Sequence, residues 1–191
     1  MYKHFFKRLI DIVISFIAII VLLIPFVLIS LLILITNPGP VFFRQKRFGK
    51  NKKMFKILKF RTMKVDTPDL PTDKIKNPEQ YITRIGRILR KTSLDELPQV
   101  FNIFIGQMSF IGPRPALWNQ TELIKLRDQT GANDVRPGLS GWAQINGRDE
   151  IPEKKKAELD GEYVKKLSFW FDIKCFFGTF IKVFKREGIE Q

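Results

Sequence analysis

The chain has 191 residues, of which 45% are apolar, and carries a formal net charge of +14. The apolar content suffices for a packed core and excludes a disordered chain, while the charge predicts a polyanionic partner: nucleic acid, anionic lipid or a phosphorylated substrate. Cys175 is the only cysteine and His4 the only histidine, which excludes an intrachain disulfide and a thiolate zinc cluster and argues against a histidine-dependent triad or metal site. Chemistry is therefore expected from carboxylates, lysines, arginines and a hard cation.

Residues 9–35 form an almost wholly apolar run near the N-terminus. As a single helix, at ~1.5 Å per residue, the run would be about 40 Å long, enough to cross a hydrocarbon core of ~30 Å. It is too long for a cleaved signal peptide, and no small-x-small cleavage site follows it. Pro25 removes a helical hydrogen bond and divides the run into two halves, neither of which spans the core alone.

Basic residues flank this run on both sides. They are Lys3, Lys7 and Arg8 before it, and Arg44, Lys46, Arg47, Lys50, Lys52 and Lys53 after it. Because basic residues mark the cytoplasmic side of a membrane, a re-entrant helix broken at Pro25 is favoured, and a Pro-kinked spanning helix is the alternative.

Two short strands are predicted after Asn37-Pro38-Gly39-Pro40, a sequence that stops a helix. Residues 41–47 and 54–62 are predicted to pair as a hairpin around a basic tip, Phe48-Gly49-Lys50-Asn51-Lys52. The tip either rests on anionic headgroups or is simply solvated. Residues 64–80, which are rich in Asp and Pro, are predicted to form an exposed loop.

Asp95 and Glu96 are adjacent carboxylates that follow a predicted short basic helix over residues 83–91. Nearby cations are expected to keep both acids ionised. An ionised carboxylate beside a phosphate can act as a nucleophile or as a ligand for Mg²⁺. Ser93 followed by Glu96 is also a capping box, which would make the segment no more than a helix start. Pro98 suits the first turn of the next helix, predicted over residues 98–105.

Two Pro- and Gly-rich stretches carry isolated arginines. In Ile111-Gly112-Pro113-Arg114-Pro115 the prolines stiffen the backbone around Arg114, a bidentate phosphate donor, and the alternative is a solvated turn. Residues 136–148 have Arg136 and Arg148 at their ends and three glycines between, which suits close approach to a phosphate or nucleotide. The alternative there is a hairpin turn at Asn146-Gly147.

Further helices are predicted over residues 118–128, 154–166 and 167–184. The first is amphipathic, and the second is charged and solvated. The third carries large aromatics at helical spacing with flanking lysines, which indicates either a helix in the membrane interface or one that closes the core. Together with the hairpin, these helices predict an α+β fold. No nucleic-acid-binding motif, Walker loop or G-x-G-x-x-G occurs.

The order of these segments resembles the bacterial sugar transferases, the small monotopic phosphoglycosyl transferases. Five motifs carry the resemblance over nearly the whole chain: the apolar run, Leu58-Lys59-Phe60-Arg61-Thr62-Met63, Ser93-Leu94-Asp95-Glu96-Leu97-Pro98-Gln99, Met108-Ser109-Phe110-Ile111-Gly112-Pro113-Arg114-Pro115, and Arg136-Pro137-Gly138 through Asn146-Gly147-Arg148. The resemblance implies a re-entrant membrane helix within residues 1–40. It also implies a cytoplasmic catalytic domain with interfacial helices over residues 41–191, at the bacterial inner membrane. Family members often have Ser-Pro at the membrane break; Ile24-Pro25 lacks that hydroxyl.

The resemblance also implies transfer of a sugar 1-phosphate from a UDP-sugar to undecaprenyl phosphate, with release of UMP. By the matching motif, Asp95 would attack the β-phosphate and form a covalent phosphosugar intermediate, while Glu96 would hold Mg²⁺ or support the pair, so both acids are candidate metal ligands. Substrate contacts are expected at Lys59, Arg61, Arg90, Arg114, Arg136, Asn146 and Arg148. The chain length is most similar to members that begin N-linked glycosylation with diacetylbacillosamine phosphate. Charge alone would instead suit a non-enzymatic membrane adaptor or a polyanion-binding protein, and the sequence specifies no oligomeric state.

Overall fold

The computed structural model describes residues 1–68, 77–147 and 151–185 of the chain. This part of the molecule combines helices with two small two-stranded sheets, a mixed α/β architecture. The helices are α1 (Lys7–Val21), α2 (Leu23–Thr36), α3 (Arg84–Lys91), α4 (Gln99–Phe104), α5 (Thr121–Asp128), α6 (Trp142–Ile145), α7 (Glu153–Lys166) and α8 (Phe169–Lys185). The strands are β1 (Phe42–Phe48), β2 (Met54–Phe60), β3 (Ser109–Ile111) and β4 (Gly138–Ser140). Residues 69–76 of the predicted loop lie outside the described residues.

The apolar run at the N-terminus folds as two helices that meet at a sharp bend. α1 and α2 join at Leu22 at an angle of 59°. Pro25 accounts for the position of the bend, because its ring nitrogen cannot donate to the carbonyl four residues earlier, which belongs to Val21 at the end of α1. Within the described ranges, neither helix alone has the length and apolarity of a membrane span, whereas the bent pair together meets that criterion. The break predicted at Pro25 is thus confirmed to within one turn, and its re-entrant path stays a prediction.

Basic residues at the start of α1 attach this helix to the rest of the chain. Lys7 Nζ lies 2.6 Å from Asp172 Oδ2 of α8. The Arg8 guanidinium donates to the backbone carbonyls of Ile103 and Phe104, at 2.7 and 2.6 Å. These carbonyls belong to the last turn of α4, where a cation is favourable because of the helix dipole. The contacts fix α1 against α4 and α8.

Polar and apolar side chains of α1 and α2 are arranged opposite to those of a water-soluble helix pair. Asp11 is 3% exposed, and its Oδ1 accepts hydrogen bonds from Ser109 Oγ and Phe110 N, each at 3.1 Å. Ile24 and Ile35, in contrast, are 70% and 78% exposed. Exposed apolar surface of this kind is typical of a face that contacts lipid or a partner.

β1 and β2 form the predicted antiparallel hairpin. Pairing runs from Phe42 opposite Phe60 to Phe48 opposite Met54. The buried residues of β2 alternate along its first half and pack toward α4, as expected for a strand with one face in the core. The hairpin thereby fixes Lys59, near the end of β2, close to the turn that follows α3.

β3 and β4 form a parallel pair that was not predicted from the sequence. Each strand has three residues, which is too few to show a period of two. Two glycines allow the close contact: a Cβ on Gly138 would lie 2.1 Å from the backbone nitrogen of Gly112. Because α6 follows β4 and Asn146 caps the C-terminus of this helix, the alternative of a hairpin turn at Asn146-Gly147 is wrong.

The two C-terminal helices differ from their predicted surroundings. α7 was expected to be solvated, but one face is buried and includes Asp160 and Tyr163, each 1% exposed. α8 agrees with the alternative of a helix that closes the core, since Cys175 is fully buried; Trp170 is 76% exposed, and a position in the membrane interface stays a prediction. One face of α8 therefore closes the core, and the opposite face presents aromatic side chains to the surroundings.

Candidate active site

The acidic pair lies on a tight turn between α3 and α4. Ser93 adopts the left-handed conformation with φ of 56°, and Leu94–Glu96 form a turn of 3₁₀ helix. The Ser93 side chain makes no capping hydrogen bond, so the capping-box alternative is wrong. A left-handed residue at this point reverses the chain direction sharply. The turn brings Asp95 and Glu96 to the Lys59 side chain of β2.

Two cations contact the carboxylates from opposite elements. Lys59 Nζ lies 2.6 Å from Glu96 Oε1 and 3.8 Å from Asp95 Oδ2. Arg114 Nη2, from the loop after β3, lies 3.9 Å from Glu96 Oε1. Asp95 is 8% exposed, so the pair is partly shielded from water. The structure thus brings together four of the predicted site residues.

A third cation among the predicted site residues, Arg90 of α3, acts on Asp95 through its charge. Arg90 Nε donates to Thr62 Oγ1 at 3.0 Å, which orients the guanidinium, and its positive charge lowers the pKa of Asp95. The nearby cations were expected to dominate the ionisation of the pair. Burial is the larger influence, however, and it raises the pKa of the Asp95 carboxyl above its usual range, while Lys59 and Arg90 oppose the rise and Glu96 adds to it.

Every backbone carbonyl of Pro113-Arg114-Pro115 accepts a hydrogen bond. Gly138 N donates to Pro113 O at 2.9 Å, Arg127 Nη1 to Arg114 O at 3.0 Å, and Arg47 Nη1 to Pro115 O at 2.9 Å. Proline also fixes φ on both sides of Arg114. The expected stiffness of this loop therefore has a second cause in these three donors.

Arg127 is itself held by a buried ion pair that sequence reasoning missed. Its Nε and Nη2 donate to Asp160 Oδ2 at 2.8 and 2.5 Å, and the two residues are 5% and 1% exposed. An arginine and an aspartate on different helices give no local sequence signal of pairing. Asp11, the one carboxylate inside the apolar run, likewise gives no local signal of its partners Ser109 and Phe110.

Two predicted phosphate contacts are engaged elsewhere. Arg61 is 7% exposed, and its Nη2 donates to the backbone carbonyl of Asn37, just after α2. Arg136 Nε donates to the carbonyl of Gly106 at 2.9 Å, just after α4. Both guanidinium groups hold backbone, and the structure does not bring them to the acidic pair. Their roles toward a substrate stay predictions.

The last two predicted contacts come from the same glycine-rich stretch. Asn146 Nδ2 donates to Trp142 O at 2.8 Å, one turn earlier in its own helix. Arg148 lies outside the described residues. The structure does not place Asn146 against Asp95, and the role of Arg148 stays a prediction.

An apolar cavity of about 340 Å³ lies beside the acidic pair and is lined by Glu96, but not by Asp95. Glu96 and Arg114 line its polar end, whereas Leu22 at the bend of α1 and Phe176 and Phe180 of α8 line its apolar part. This volume is in the range of ligand-binding cavities. Ala18 of α1 also lines the cavity, which therefore reaches from Glu96 to the N-terminal helices.

The acidic pair has the oxygen donors that Mg²⁺ prefers, but only two of them. In the described part of the chain, no group of three or more His, Cys, Asp or Glu residues could hold a metal ion. Mg²⁺ is commonly held by one or two carboxylates together with substrate phosphates and water. Asp95 and Glu96 could therefore hold a magnesium ion only together with further ligands, and the predicted Mg²⁺ stays a prediction.

The chain matches the bacterial sugar transferase family over residues 2–186. It belongs to this family. A bacterial sugar transferase is an enzyme, so the family assignment overturns the alternative of a non-enzymatic adaptor.

Named relatives include the UDP-glucose:undecaprenyl-phosphate glucose-1-phosphate transferase of Escherichia coli, which is 42% identical over 187 residues, 93% of this chain and 40% of the relative. The UDP-galactose-lipid carrier transferase of Erwinia amylovora is 37% identical, over 97% of this chain and 42% of the relative. The exopolysaccharide production protein PSS of Rhizobium leguminosarum is 40% identical, over 94% of this chain and 96% of the relative. The chain thus spans less than half the length of the first two relatives and nearly all of the third.

Proposed function

We propose that this sugar transferase moves a sugar 1-phosphate from a UDP-sugar to undecaprenyl phosphate and releases UMP. The observation that carries the proposal is the position of the Asp95-Glu96 pair: Lys59 and Arg114 lie near Glu96 Oε1, and Glu96 lines an apolar cavity that reaches the N-terminal helices. A phosphate ester needs the cations, and a polyprenyl chain needs the apolar cavity. The names of relatives that act on undecaprenyl phosphate support the same reaction.

Asp95 acts as the nucleophile in this proposal. Its carboxylate oxygen forms a bond to the β-phosphorus of the UDP-sugar, and the bond from that phosphorus to the bridging oxygen of UMP breaks. An oxygen of the lipid phosphate then attacks the same phosphorus, and the bond to Asp95 breaks. In this proposal, Lys59, Arg90 and Arg114 stabilise the negative charge on the transferring group.

Asp95 and Glu96 would hold Mg²⁺ together with oxygens of the donor diphosphate. When bound, the ion supplies positive charge at the transferring phosphoryl group and lowers repulsion between the carboxylates and the donor. Lys59 remains bound to Glu96 and orients that carboxylate. The acidic pair offers two carboxylates as ligands, which agrees with a metal ion that arrives together with its substrate.

The apolar cavity is the proposed path of the first isoprene units of the acceptor. Its walls join the bend of α1 with the aromatic residues of α8, so a lipid phosphate at Arg114 would extend its chain toward the exposed helices. This arrangement explains why the carboxylates lie near the N-terminal helices and not at a distant surface.

The bent pair α1 and α2 is proposed to enter and leave the bilayer through the cytoplasmic leaflet. Basic residues flank both ends of the pair, and Ile24 and Ile35 near the bend and the end are strongly exposed. Single cysteines introduced by Lys3→Cys and Lys50→Cys, with the native thiol removed by Cys175→Ser, should both escape an impermeant label added to intact cells. Labelling of one of the two positions would show a true span.

The covalent mechanism is tested by intact-mass measurement of the purified protein with UDP-sugar and Mg²⁺, without lipid. A phosphosugar adduct is expected in the wild type and in Asp128→Asn, an exposed matched control, and is expected to be absent in Asp95→Asn. UMP release that depends on lipid without any adduct would favour direct attack by the lipid phosphate. If the wild-type protein releases UMP with none of the UDP-sugars, the transferase proposal itself is refuted.

The names of relatives include both glucose and galactose donors, so family membership leaves the sugar open. Diacetylbacillosamine phosphate stays a prediction from the sequence. A panel of UDP-sugars, scored by UMP release, identifies the donor.

A further inference from the structure

Arg114 lies between the apolar cavity and a second cavity with a larger polar share of its surface, which is called the polar cavity below. The second cavity has a volume of about 180 Å³ and is lined on one side by Arg114 and Gln144, which also line the first. Asp160 of α7 and Ala116 of the loop after β3 also line this second cavity. A group bound at Arg114 would therefore have an apolar space on one side and a polar space on the other.

Two residues that line the polar cavity each have a buried oxygen that accepts no hydrogen bond from the described part of the chain. Asp160 Oδ2 receives both bonds from Arg127, while its Oδ1 receives none within the described part of the chain. Gln144 Nε2 donates to Leu139 O at 2.9 Å, while Gln144 Oε1 likewise accepts no bond from any described residue. Asp160 is 1% exposed. A buried oxygen without a donor is costly, so such an atom indicates a missing donor.

We infer that the polar cavity binds the sugar ring of the donor, with Asp160 Oδ1 and Gln144 Oε1 accepting hydrogen bonds from its hydroxyl groups. The inference rests on the proposed function and adds to it the part of the protein that selects the sugar. The β-phosphate lies between the sugar and UMP in the donor, and Arg114 lies between the cavity and the acidic pair. A sugar has many hydroxyl donors, whereas the apolar cavity offers few acceptors to them.

The size of the cavity argues against a single bridging water as the only occupant. One water needs a cavity of about 10–15 Å³ by the same kind of measure, and this cavity has about 180 Å³. The space suits one small polar ring. The unpaired acceptors and the volume thus point to the same class of ligand.

The first test uses the wild-type enzyme with UDP-sugars that each lack one hydroxyl group. If a buried acceptor binds a hydroxyl, its removal leaves the acceptor unpaired, and kcat/KM for UMP release should fall by about tenfold to a hundredfold for at least one analogue. Equal kcat/KM values for all the deoxy donors would overturn the inference. This test changes no residue, so it does not depend on the folding of a variant.

The second test places extra methyl groups in the cavity wall. Ala116 and Ala157 belong to the same core cluster and are 2% and 3% exposed, but only Ala116 lines the cavity. In Ala116→Val, the ratio of kcat/KM for UDP-glucose to that for the bulkier UDP-N-acetylglucosamine should change by about tenfold or more. Ala157→Val is the matched control and should keep the ratio within about twofold. If Ala116→Val does not fold, Gln144→Met replaces it, and one of the deoxy penalties should disappear.

The possible results separate the two proposals. A loss that is equal for all donors in Ala116→Val would assign the cavity to the nucleotide and overturn the inference, while the transferase function would stand. If the wild type releases UMP from none of the donors, the proposed function is instead refuted. A changed donor ratio together with a deoxy penalty supports the assignment.

Discussion

Substitution of Arg127 by lysine tests whether a buried ion pair positions Arg114. In the native chain, one guanidinium makes two bonds to Asp160 and a third, of 3.0 Å, to the carbonyl of Arg114. Lysine keeps the charge, but its single ammonium lacks the fixed planar fork that reaches both partners. Arg127→Lys is therefore expected to keep attraction to Asp160 and to lose the bond to Arg114 O.

The size of the effect follows from the lost bond. A hydrogen bond from a charged donor contributes about 1.5–3 kcal/mol. If the displaced Arg114 loses a comparable interaction with the transition state, kcat/KM falls by about 10- to 150-fold. For a chain of this length, the same loss lowers the melting temperature by about 2–4 °C per kcal/mol. Arg127→Met should cost more, about 3–5 kcal/mol, since it leaves Asp160 buried and unpaired.

Initial rates of UMP release and thermal unfolding in detergent measure the two consequences. Lys155→Gln, which removes an exposed partner of Glu158, is the matched control and should change neither quantity. A lowered melting temperature with wild-type kcat/KM in Arg127→Lys would show that the ion pair stabilises the fold without positioning Arg114.

Three further substitutions test the site and its supports. Lys59→Gln removes a charge that lowers the pKa of Asp95; that pKa should rise further, and because the ionised form is the nucleophile, the acid limb of the rate profile should move to higher pH. Asp11→Ala leaves a buried amide and a buried hydroxyl without their acceptor, which should cost about 2 kcal/mol or more in thermal unfolding. Gly86→Ala places a Cβ 2.0 Å from the Thr62 carbonyl oxygen; displacement of α3 should cost about 1–3 kcal/mol and lower the rate of UMP release.

Each of these substitutions has a control. Lys52→Gln removes an exposed lysine and should leave the acid limb in place, so an equal movement in both variants would contradict the electrostatic explanation. Asp11→Asn keeps an acceptor oxygen and should recover much of the stability lost in Asp11→Ala. Gly178→Ala places a Cβ 2.8 Å from the Cδ1 end of the Ile145 side chain, which can rotate away. A larger loss of stability there than in Gly86→Ala would contradict the explanation by a backbone clash.

Local sequence rules were sufficient wherever a signal lay within a few residues. The hairpin of β1 and β2 was predicted as two short strands around a basic tip, and α3 begins and ends within a residue of the predicted bounds. The break in the apolar run follows from the chemistry of proline alone. Burial of one face of α7 was not predicted, because charged residues dominate its composition while Asp160 is neutralised by an arginine from another helix.

In the candidate site, too, local sequence signals predicted some contacts and not others. Asp95, Glu96, Lys59 and Arg114 were named from motifs, and the structure brings them together. Arg61 and Arg136 were named by the same reasoning, yet they bind backbone elsewhere. Residue type in a motif indicates an available guanidinium, whereas its partner depends on which carbonyl the fold places nearby.

The sequence by itself determined the chemistry that is available: an acidic pair in a basic chain, a stiff arginine loop and an apolar run broken at Pro25. These properties depend on covalent structure and on residues close together in the chain, which fix charge, backbone freedom and periodicity. Tertiary structure alone decided the short parallel sheet, the Arg127–Asp160 support and the two cavities on either side of Arg114. Each of these joins residues distant in sequence, and their proximity results from the packing of the whole chain and not from any local preference.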